Sequence, residues 1–238
     1  MMKACKSLLS GFVFTLFLLT AYVGVAQNEA VFKQGNDLYN EGKYQKAIEC
    51  HKRVLQVNPK HASAHNNLGL VFVGLKEHQK AKACYEKAIE LNPNLSESYN
   101  NLGNVFFSLK EYQKAISYYE KAIQINPNDT FAHNNLGIIF KELGEYKKAI
   151  SCYEQAIILR PNHADAHNNL GLVFKQSGEL QKAMNYYEKV LILDPNSAKY
   201  NSNYGELLLS LNQHKKGLAY IKKGSGCINF TKENFTII

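Results

Sequence analysis

The sequence of residues 130–163 is TFAHNNLGIIFKELGEYKKAISCYEQAIILRPNH, and that of residues 164–197 is ADAHNNLGLVFKQSGELQKAMNYYEKVLILDPNS. The two stretches have equal length and share the run HNNLG at the same place. The only prolines of the chain keep the same period of 34 residues: Pro59, Pro93, Pro127, Pro161 and Pro195. A fixed period between about 20 and 50 residues predicts an array of stacked structural units.

Alignment on the prolines gives six repeats, residues 28–61, 62–95, 96–129, 130–163, 164–197 and 198–231. Glycine occupies the eighth position of every repeat: Gly35, Gly69, Gly103, Gly137, Gly171 and Gly205. Alanine occupies the twentieth position of the first five: Ala47, Ala81, Ala115, Ala149 and Ala183. Large apolar residues flank these columns at helical spacings, as Leu68, Phe72, Tyr85 and Ile89 do in the second repeat. Each repeat is therefore predicted to hold two helices that approach most closely at the small residues, with the proline ending the second helix.

These columns resemble the tetratricopeptide repeat (TPR) family, and the resemblance covers residues 28–231. It implies an all-α fold, a right-handed superhelical solenoid of helix-turn-helix repeats that depend on their neighbours for stability. The sixth repeat departs from the pattern at Gly217, Gly224 and Asn229. We expect it to be a degenerate capping repeat with a short second helix at about Gln213–Lys223, and residues 225–238 to form an irregular or extended tail, or the stub of a larger chain.

An export signal is predicted at residues 1–26. Lys3 and Lys6 precede an apolar run at Leu8–Leu19, no acidic residue is present, and small residues lead up to Ala26. This layout predicts a secretory signal peptide cleaved after Ala26. The alternative is an uncleaved anchor at residues 8–26, because nineteen such residues are enough to span a bilayer. The protein is expected to be exported (to the periplasm or outside the cell) or membrane-anchored.

No catalytic motif is found in the 238 residues. The segment from Gly69 to Lys76 approaches a phosphate-binding loop, but Leu75 replaces the required lysine and the segment belongs to a predicted helix. We expect neither enzymatic activity nor a cofactor. The formal net charge of +8 is only a mild indication of anionic partners, and no nucleic-acid partner is expected.

Three polar columns are interpreted as structural. His65, His133 and His167 share the fourth position, and the spacing of about 10 Å between adjacent repeats is too long for a shared metal ion, the more so for His65 and His133, which are two repeats apart. Cys50, Cys84 and Cys152 share the twenty-third position, too far apart for disulfides, and free thiols are expected. The nineteenth position is lysine in all repeats: Lys46, Lys80, Lys114, Lys148, Lys182 and Lys216. Four of these lysines follow a glutamate by three residues, which favours helix-surface ion pairs over a polyanion-binding stripe.

An asparagine pair marks the first helices and is the strongest candidate for function. It fills the fifth and sixth positions of the middle repeats, and the sixth-position column extends into repeat 6. The fifth-position residues are Asn66, Asn100, Asn134 and Asn168, and the sixth-position residues are Asn67, Asn101, Asn135, Asn169 and Asn203. Asparagine is a poor helix former, so the column calls for an explanation, and we expect an external one. The alternative is common ancestry of the repeats with no peptide bound.

The asparagine column resembles the repeats of O-linked N-acetylglucosamine transferase. That resemblance implies a concave groove in which a sixth-position ladder holds an extended peptide by its backbone, since a carboxamide offers both donors and an acceptor. It also implies further groove residues at the ninth and twelfth positions: Leu70, Ile138, Leu172, Lys141 and Lys175. The carboxylate clamp of chaperone-binding members does not carry over, because asparagines stand where its Lys and Arg residues are required.

The sequence thus predicts an exported scaffold that binds a protein or peptide partner in its groove, with membrane contact only through an uncleaved leader. One alternative is the non-catalytic repeat part of a larger or split glycosyltransferase-type enzyme, which reading the gene beyond Ile238 would reveal. The other is a membrane-anchored structural protein of the envelope.

Overall fold

The computed structural model describes residues 26–225, together with the backbone of residues 228–230 and 235–237. The predicted leader, except for Ala26, lies outside the described residues, and so do Cys5 and Cys227. Among the described helices, none combines the length and the apolar character needed to cross a membrane.

The described part of the chain is built of twelve helices, two per repeat, as predicted. In order they are α1 (residues 26–40), α2 (Tyr44–Val57), α3 (Ala62–Gly74), α4 (His78–Leu91), α5 (Ser96–Ser108), α6 (Tyr112–Ile125), α7 (Thr130–Glu142), α8 (Tyr146–Leu159), α9 (Ala164–Gln176), α10 (Leu180–Leu193), α11 (Ala198–Ser210) and α12 (His214–Ser225). The fold is all-α, six TPR helix-turn-helix repeats in series.

The chain divides into two compact units, one that ends at Val105 and one that begins at Phe106. In the first unit α3 packs on both α2 and α4, around a core that includes Ala47, Ile48, Leu68 and Val71. In the second unit each helix from α6 to α12 packs on the next one along the chain. Its core includes Tyr153, Leu170, Val173, Tyr187 and Leu207, each no more than marginally exposed. The repeats are thus stabilised by their neighbours.

Each turn inside a repeat contains one residue in the left-handed region, always at the fifteenth position. These residues are Gly42, Lys76, Lys110, Gly144, Gly178 and Asn212, with φ between 60° and 82°. In every repeat the next residue's N–H donates to the carbonyl of the eleventh position, as Glu77 does to Phe72 at 2.8 Å. This bond closes a Schellman-type end on the first helix and sets the direction of the second.

The turns between repeats are built around the prolines. Asn92 precedes Pro93, and its side-chain Oδ1 accepts a hydrogen bond from the N–H of Asn94 at 3.1 Å; Asn58 and Asn126 form the same turn. Such Asx turns satisfy backbone groups that the proline leaves without a helical partner. The next helix then begins with a side-chain cap where the residue allows it, as when Asp129 accepts from the N–H of Ala132 at 3.0 Å.

In repeats 1, 2, 4 and 5 the eighth-position glycine faces the ring at the twenty-fourth position of the same repeat. A Cβ on Gly137 would lie 2.6 Å from Cε1 of Tyr153, and one on Gly69 would lie 2.5 Å from Cε1 of Tyr85. Both tyrosines have no exposed surface. The glycines therefore make room for a buried aromatic ring between the two helices, a more specific reason than close helix approach alone.

Close approach of backbones is found in the sixth repeat. A Cβ on Gly205 would lie 2.8 Å from the carbonyl oxygen of Gly217, and one on Gly224 would lie 2.5 Å from that of Ala198. The glycines that the sequence presents as signs of degeneracy thus allow α12 to lie directly against α11.

The sequence predicts an irregular or extended tail after this repeat. The structure has in it two short strands, β1 (Ile228–Phe230) and β2 (Phe235–Ile237), paired antiparallel with Asn229 opposite Thr236.

Candidate peptide-binding surface on the first helices

Three of the four fifth-position asparagines are buried. Asn66 and Asn134 are each 6% exposed and Asn168 is 0% exposed. Burial of a carboxamide is costly unless its polar atoms find partners. Such side chains offer little surface to a peptide, so burial argues against the predicted role of Asn66, Asn134 and Asn168 in holding a ligand, and that role stays a prediction.

Each of these buried side chains accepts a hydrogen bond from the sixth-position asparagine of the next repeat. Asn101 donates from Nδ2 to Oδ1 of Asn66 at 3.0 Å. Asn169 donates in the same way to Asn134 at 3.0 Å, and Asn203 to Asn168 at 2.8 Å. The two positions therefore form one inter-repeat bond at each of these three interfaces. We call this set the asparagine network.

Further bonds extend the network within and beyond the repeats. Asn66 Nδ2 donates to Oδ1 of its neighbour Asn67 at 3.1 Å, and Asn67 in turn donates to Oδ1 of Asn36 at 2.7 Å. Ser98 also donates to Asn66, at 3.0 Å. A carboxamide can serve as donor and acceptor at once, which suits it to a repeating chain of this kind.

The network corrects one inference from the sequence, namely that paired asparagines in a helix need an external reason. Their reason is in part internal, because they join adjacent first helices. A signal was present in the sequence: repeat 6 keeps the donor Asn203 but has Ser202 at the fifth position. Among the described residues no further first helix follows α12 that would need its acceptor.

Four of the five sixth-position side chains remain the better candidates for contact with a ligand, because they are more exposed. Asn67, Asn101, Asn135 and Asn203 are half-buried, whereas Asn169 is 7% exposed and thus as buried as Asn66 and Asn134. The inter-repeat bond of Asn101 uses one N–H of its side-chain amide, and a primary carboxamide has two. A side chain at this position can therefore join two repeats and still donate a hydrogen bond to a ligand.

The apolar ninth-position residues lie half-buried on the same helices. They are Leu70, Ile138 and Leu172, each three residues after a sixth-position asparagine. Three residues are about one helical turn, so apolar and amide groups lie on the same side of these helices. The remaining fifth-position residue, Asn100, is half-buried.

The charged residues of this surface pair with one another in the second unit. Lys141 pairs with Glu142 at 2.9 Å, and Lys175 pairs with Glu206 of the next repeat at 2.9 Å. Lys199 pairs with Asp165 at 2.7 Å, and these contacts hold the pKa of the Asp165 carboxyl below its ordinary value although burial acts in the opposite direction. The two predicted groove lysines are thus neutralised locally, which leaves amide and apolar groups as the distinguishing chemistry of the surface.

Phe131 stands out as an aromatic residue of the same helices that is 52% exposed. Its ring lies 5.1 Å from the guanidinium carbon of Arg160 and 5.6 Å from the ring of His163. Phe131 occupies the second position of its repeat, which the family resemblance places in the groove. It adds a large apolar contact at the edge of the candidate surface.

The histidine column is structural, as predicted. The ring Nε2 of His65, His133 and His167 lies 3.1, 3.0 and 2.8 Å from the carbonyl oxygen of the proline that closes the preceding repeat. Nε2–H donates to an oxygen that the proline turn would otherwise leave without a partner. Burial lowers the pKa of His167.

The lysine column also has the predicted local role. Lys80, Lys114, Lys148 and Lys182 each pair with the glutamate three residues earlier at 2.5 Å. Each Nζ also lies over the phenylalanine ring at the eleventh position, at distances of 5.1 to 5.5 Å. The hydrogen bond to glutamate raises the pKa of Lys114 and Lys182.

Cys50, Cys84 and Cys152 are free thiols in the structure. Burial raises the pKa of Cys84 and of Cys152 to about 11, which keeps both thiols protonated and unreactive at neutral pH. Within the described residues, His, Cys, Asp and Glu side chains form no group that could hold a metal ion.

One surface pocket was not anticipated from the sequence. It has a volume of about 420 Å³ and lies beside α10, with Phe174 stacked on Tyr186 at 5.5 Å between ring centroids. Lys182 and Lys189 lie over these two rings, and Glu154 stands on another wall. The pairing of Lys182 with Glu179 and the ring contacts account for these side chains as packing.

Comparison with known proteins agrees with the repeat assignment. Models of the tetratricopeptide repeat match residues 62–95, 96–129 and 164–197, and related TPR models match residues 35–76, 139–178 and 118–151. No curated protein sequence matches the chain significantly.

Several solved structures share the fold. PilF of Pseudomonas aeruginosa is 20% identical, with 81% of this chain and 88% of that chain covered and a TM-score of 0.73. MamA is 29% identical, with 70% and 97% covered and a TM-score of 0.59. YrrB, described as a TPR protein with an unusual peptide-binding site, is 24% identical, with 75% and 92% covered and a TM-score of 0.57.

These matches support TPR proteins in general and not O-linked N-acetylglucosamine transferase in particular. TPR proteins are scaffolds for protein–protein interaction, typically without catalytic activity. From its repeat columns, its paired helices and the matching repeat models, the chain belongs to the tetratricopeptide repeat family.

Proposed function

We propose that this protein is an exported scaffold that holds an extended peptide segment of a partner protein against its first helices. The observation that carries the proposal is the placement, within each unit, of half-buried amide and apolar side chains one helical turn apart, on α3 in the first unit and on α7 in the second. In the second unit the amide of Asn135 would pair with the partner's backbone, and Ile138 and Leu172 would contact its side chains.

The charge pattern supports a largely uncharged partner segment. Lys141, Lys175 and Lys199 each have an acidic neighbour within ion-pairing distance. A strongly acidic peptide would have to displace those carboxylates, whereas an apolar segment would not. YrrB, which shares the fold, is described as peptide-binding, and this supports the same use of the fold here.

A photocrosslinking amino acid at Leu172 tests the proposal in cells that export the protein. Leu172 lies half-buried on α9, whereas Ile192 lies 79% exposed on the second helix α10 of the same repeat. We expect a discrete protein adduct from position 172 and none from position 192. Adducts from position 192 alone, or from neither position, would overturn the proposal.

We further propose export with removal of the leader after Ala26, on the sequence pattern of residues 1–26. N-terminal sequencing of the exported protein checks this, with Gln27 the expected first residue. A leader still attached in the membrane fraction would instead favour the anchored form.

A further inference from the structure

We propose that the solvent face of α12 is a docking surface for an anionic phospholipid bilayer. Helix α12 carries Lys215, Lys216, Lys222 and Lys223, and its sequence contains no acidic residue. All four lysines are exposed. The proposal concerns a different surface from the first-helix groove and does not depend on it.

The four lysines lie on one side of the helix. Lys215 and Lys222 are two turns apart, and so are Lys216 and Lys223, so that the four project within an arc of about 120°. Ala219, which is exposed, occupies the centre of this arc. The opposite side carries Gly217 and Ile221, which are buried against α11.

This helix differs from the second helices of repeats 2 to 5 in its ion pairing. In repeats 2 to 5 the nineteenth-position lysine pairs with a glutamate at the sixteenth position, whereas Lys216 has Gln213 there. Among the described residues none of the four α12 lysines has an ion-pair partner. Lys215 and Lys216 stand in the first turn, where the helix dipole disfavours cations.

The shape and chemistry of the face favour a bilayer over an acidic peptide. The lysines project from the convex outside of one helix, which offers no groove in which a peptide could be held. They are compact point charges without the forked geometry with which arginine recognises individual carboxylates. A layer of anionic headgroups meets such a face as a whole.

The apolar side of α12 is occupied by α11, so the helix would rest on the headgroups without inserting into the bilayer. Each lysine near an anionic surface raises the partition constant roughly fivefold at low salt. Four lysines together would raise it by roughly two to three orders of magnitude if their effects add. Salt at about 1 M should abolish the effect, because the Debye length then falls to about 3 Å.

Lysine labelling of the exported protein, as purified from secreting cells, tests the proposal. An amine-reactive reagent is applied with vesicles of phosphatidylcholine alone or of phosphatidylcholine and phosphatidylglycerol in equal amounts, and modification is quantified at each lysine by mass spectrometry. We expect the anionic vesicles to protect the four α12 lysines. The paired lysines Lys80, Lys114, Lys148 and Lys182 serve as the internal control and should be labelled equally with both vesicle types.

A matched pair of variants completes the experiment. Replacement of the four α12 lysines by Gln should lower sedimentation with anionic vesicles to the level seen with phosphatidylcholine, and the same replacement at the four control lysines should leave it largely unchanged. Circular dichroism verifies that both variants fold. Equal modification of the four α12 lysines with both vesicle types would overturn the proposal. So would protection of these lysines by polyglutamate, added in place of vesicles, if anionic vesicles do not protect them.

Discussion

Asn169 donates a hydrogen bond from its side-chain Nδ2 to Oδ1 of Asn134 at 3.0 Å, and so joins the first helices of two successive repeats. Both side chains are less than a tenth exposed. The same relationship recurs between Asn203 and Asn168 and between Asn101 and Asn66. In the sequence the asparagine column suggests only ligand binding. In the structure it also joins adjacent repeats and so stabilises the array.

Asn169→Ala is expected to destabilise the protein although alanine is the better helix former. It leaves the buried Oδ1 of Asn134 without its donor, at a cost of about 1–3 kcal/mol. Urea denaturation followed by circular dichroism measures the loss. Asn185→Ala on the exposed side of α10 is the control and should change stability by no more than a few tenths of a kcal/mol. If the two variants are equally stable, the network contributes nothing.

Gly137→Leu should destabilise the second unit severely. Even a Cβ at this position would lie 2.6 Å from Tyr153, whose ring is fully buried. Overpacking of this kind costs about 1–3 kcal/mol or more. Tyr153→Leu should partly rescue Gly137→Ala, because the smaller side chain leaves room for the added Cβ. An unchanged melting temperature for Gly137→Leu would refute this packing role of the glycine column.

Lys76→Gly and Lys110→Gly should each stabilise the protein by up to about 1 kcal/mol. Both lysines have φ of 60°. This conformation destabilises a residue with a Cβ by about 1 kcal/mol, whereas glycine adopts it at almost no cost. Gly144→Ala, at the same position of repeat 4 with φ of 74°, is the reciprocal control and should destabilise. Thermal denaturation distinguishes the two directions of change, and a loss of stability in both lysine variants would contradict this account of the turn.

His51 should make the first repeat sensitive to acid. The residue is 0% exposed, and neither ring nitrogen has a partner among the described residues. Burial, assisted by the neighbouring His61, lowers the pKa of His51 from 6.5 to about 4. The folded state therefore resists protonation that the unfolded state accepts. The contribution of neutral His51 to the free energy of unfolding is fully present above pH 6.5. It is lost as the pH is lowered from 6.5 to about 4, by about 3 kcal/mol at most.

His51→Tyr tests this pH dependence, since tyrosine fills the equivalent position in repeats 2 to 5. Hydrogen exchange of α1 and α2 at pH 7.5 and pH 4.5 reports the stability of the first repeat. The variant should lose less protection than the wild type on acidification, whereas His214→Gln, at an exposed histidine, should behave as the wild type does. An identical loss in the wild type and in His51→Tyr would show that other groups cause the acid sensitivity.

The features that the sequence predicted well are those that depend on residues close together along the chain. The helix pairs follow from the spacing of apolar residues, and the pairing of Lys114 with Glu111 follows from their separation along one helix surface. The packing role of His133 also follows, because a metal site would need contacts between distant repeats. Each of these inferences depends only on local geometry.

The features that were missed depend on the next repeat or on the backbone. The bond from Asn101 to Asn66 requires knowledge of how successive first helices are aligned, which no single repeat contains. The left-handed conformation at the fifteenth position was missed because the residue type varies there. Gly42 and Gly144 suggest this conformation, whereas Lys76 and Lys110 at the same position do not. The basic face of α12 was missed because its column member, Lys216, has counterparts in repeats 2 to 5 that pair with glutamates.

The most direct test of the proposed function is the affinity for a synthetic peptide of the partner segment mapped by crosslinking at Leu172. Calorimetric titration compares the wild type with Ile138→Ser/Leu172→Ser, on the first helices, and with Ile158→Ser/Ile192→Ser, on the second helices. Loss of two apolar contacts of about 1 kcal/mol each should weaken binding roughly thirtyfold in the first double variant. The second should bind as the wild type does, since both isoleucines are largely exposed to solvent away from the first helices. Normal binding by the first double variant together with weakened binding by the second would contradict the assignment of the first helices as the binding surface.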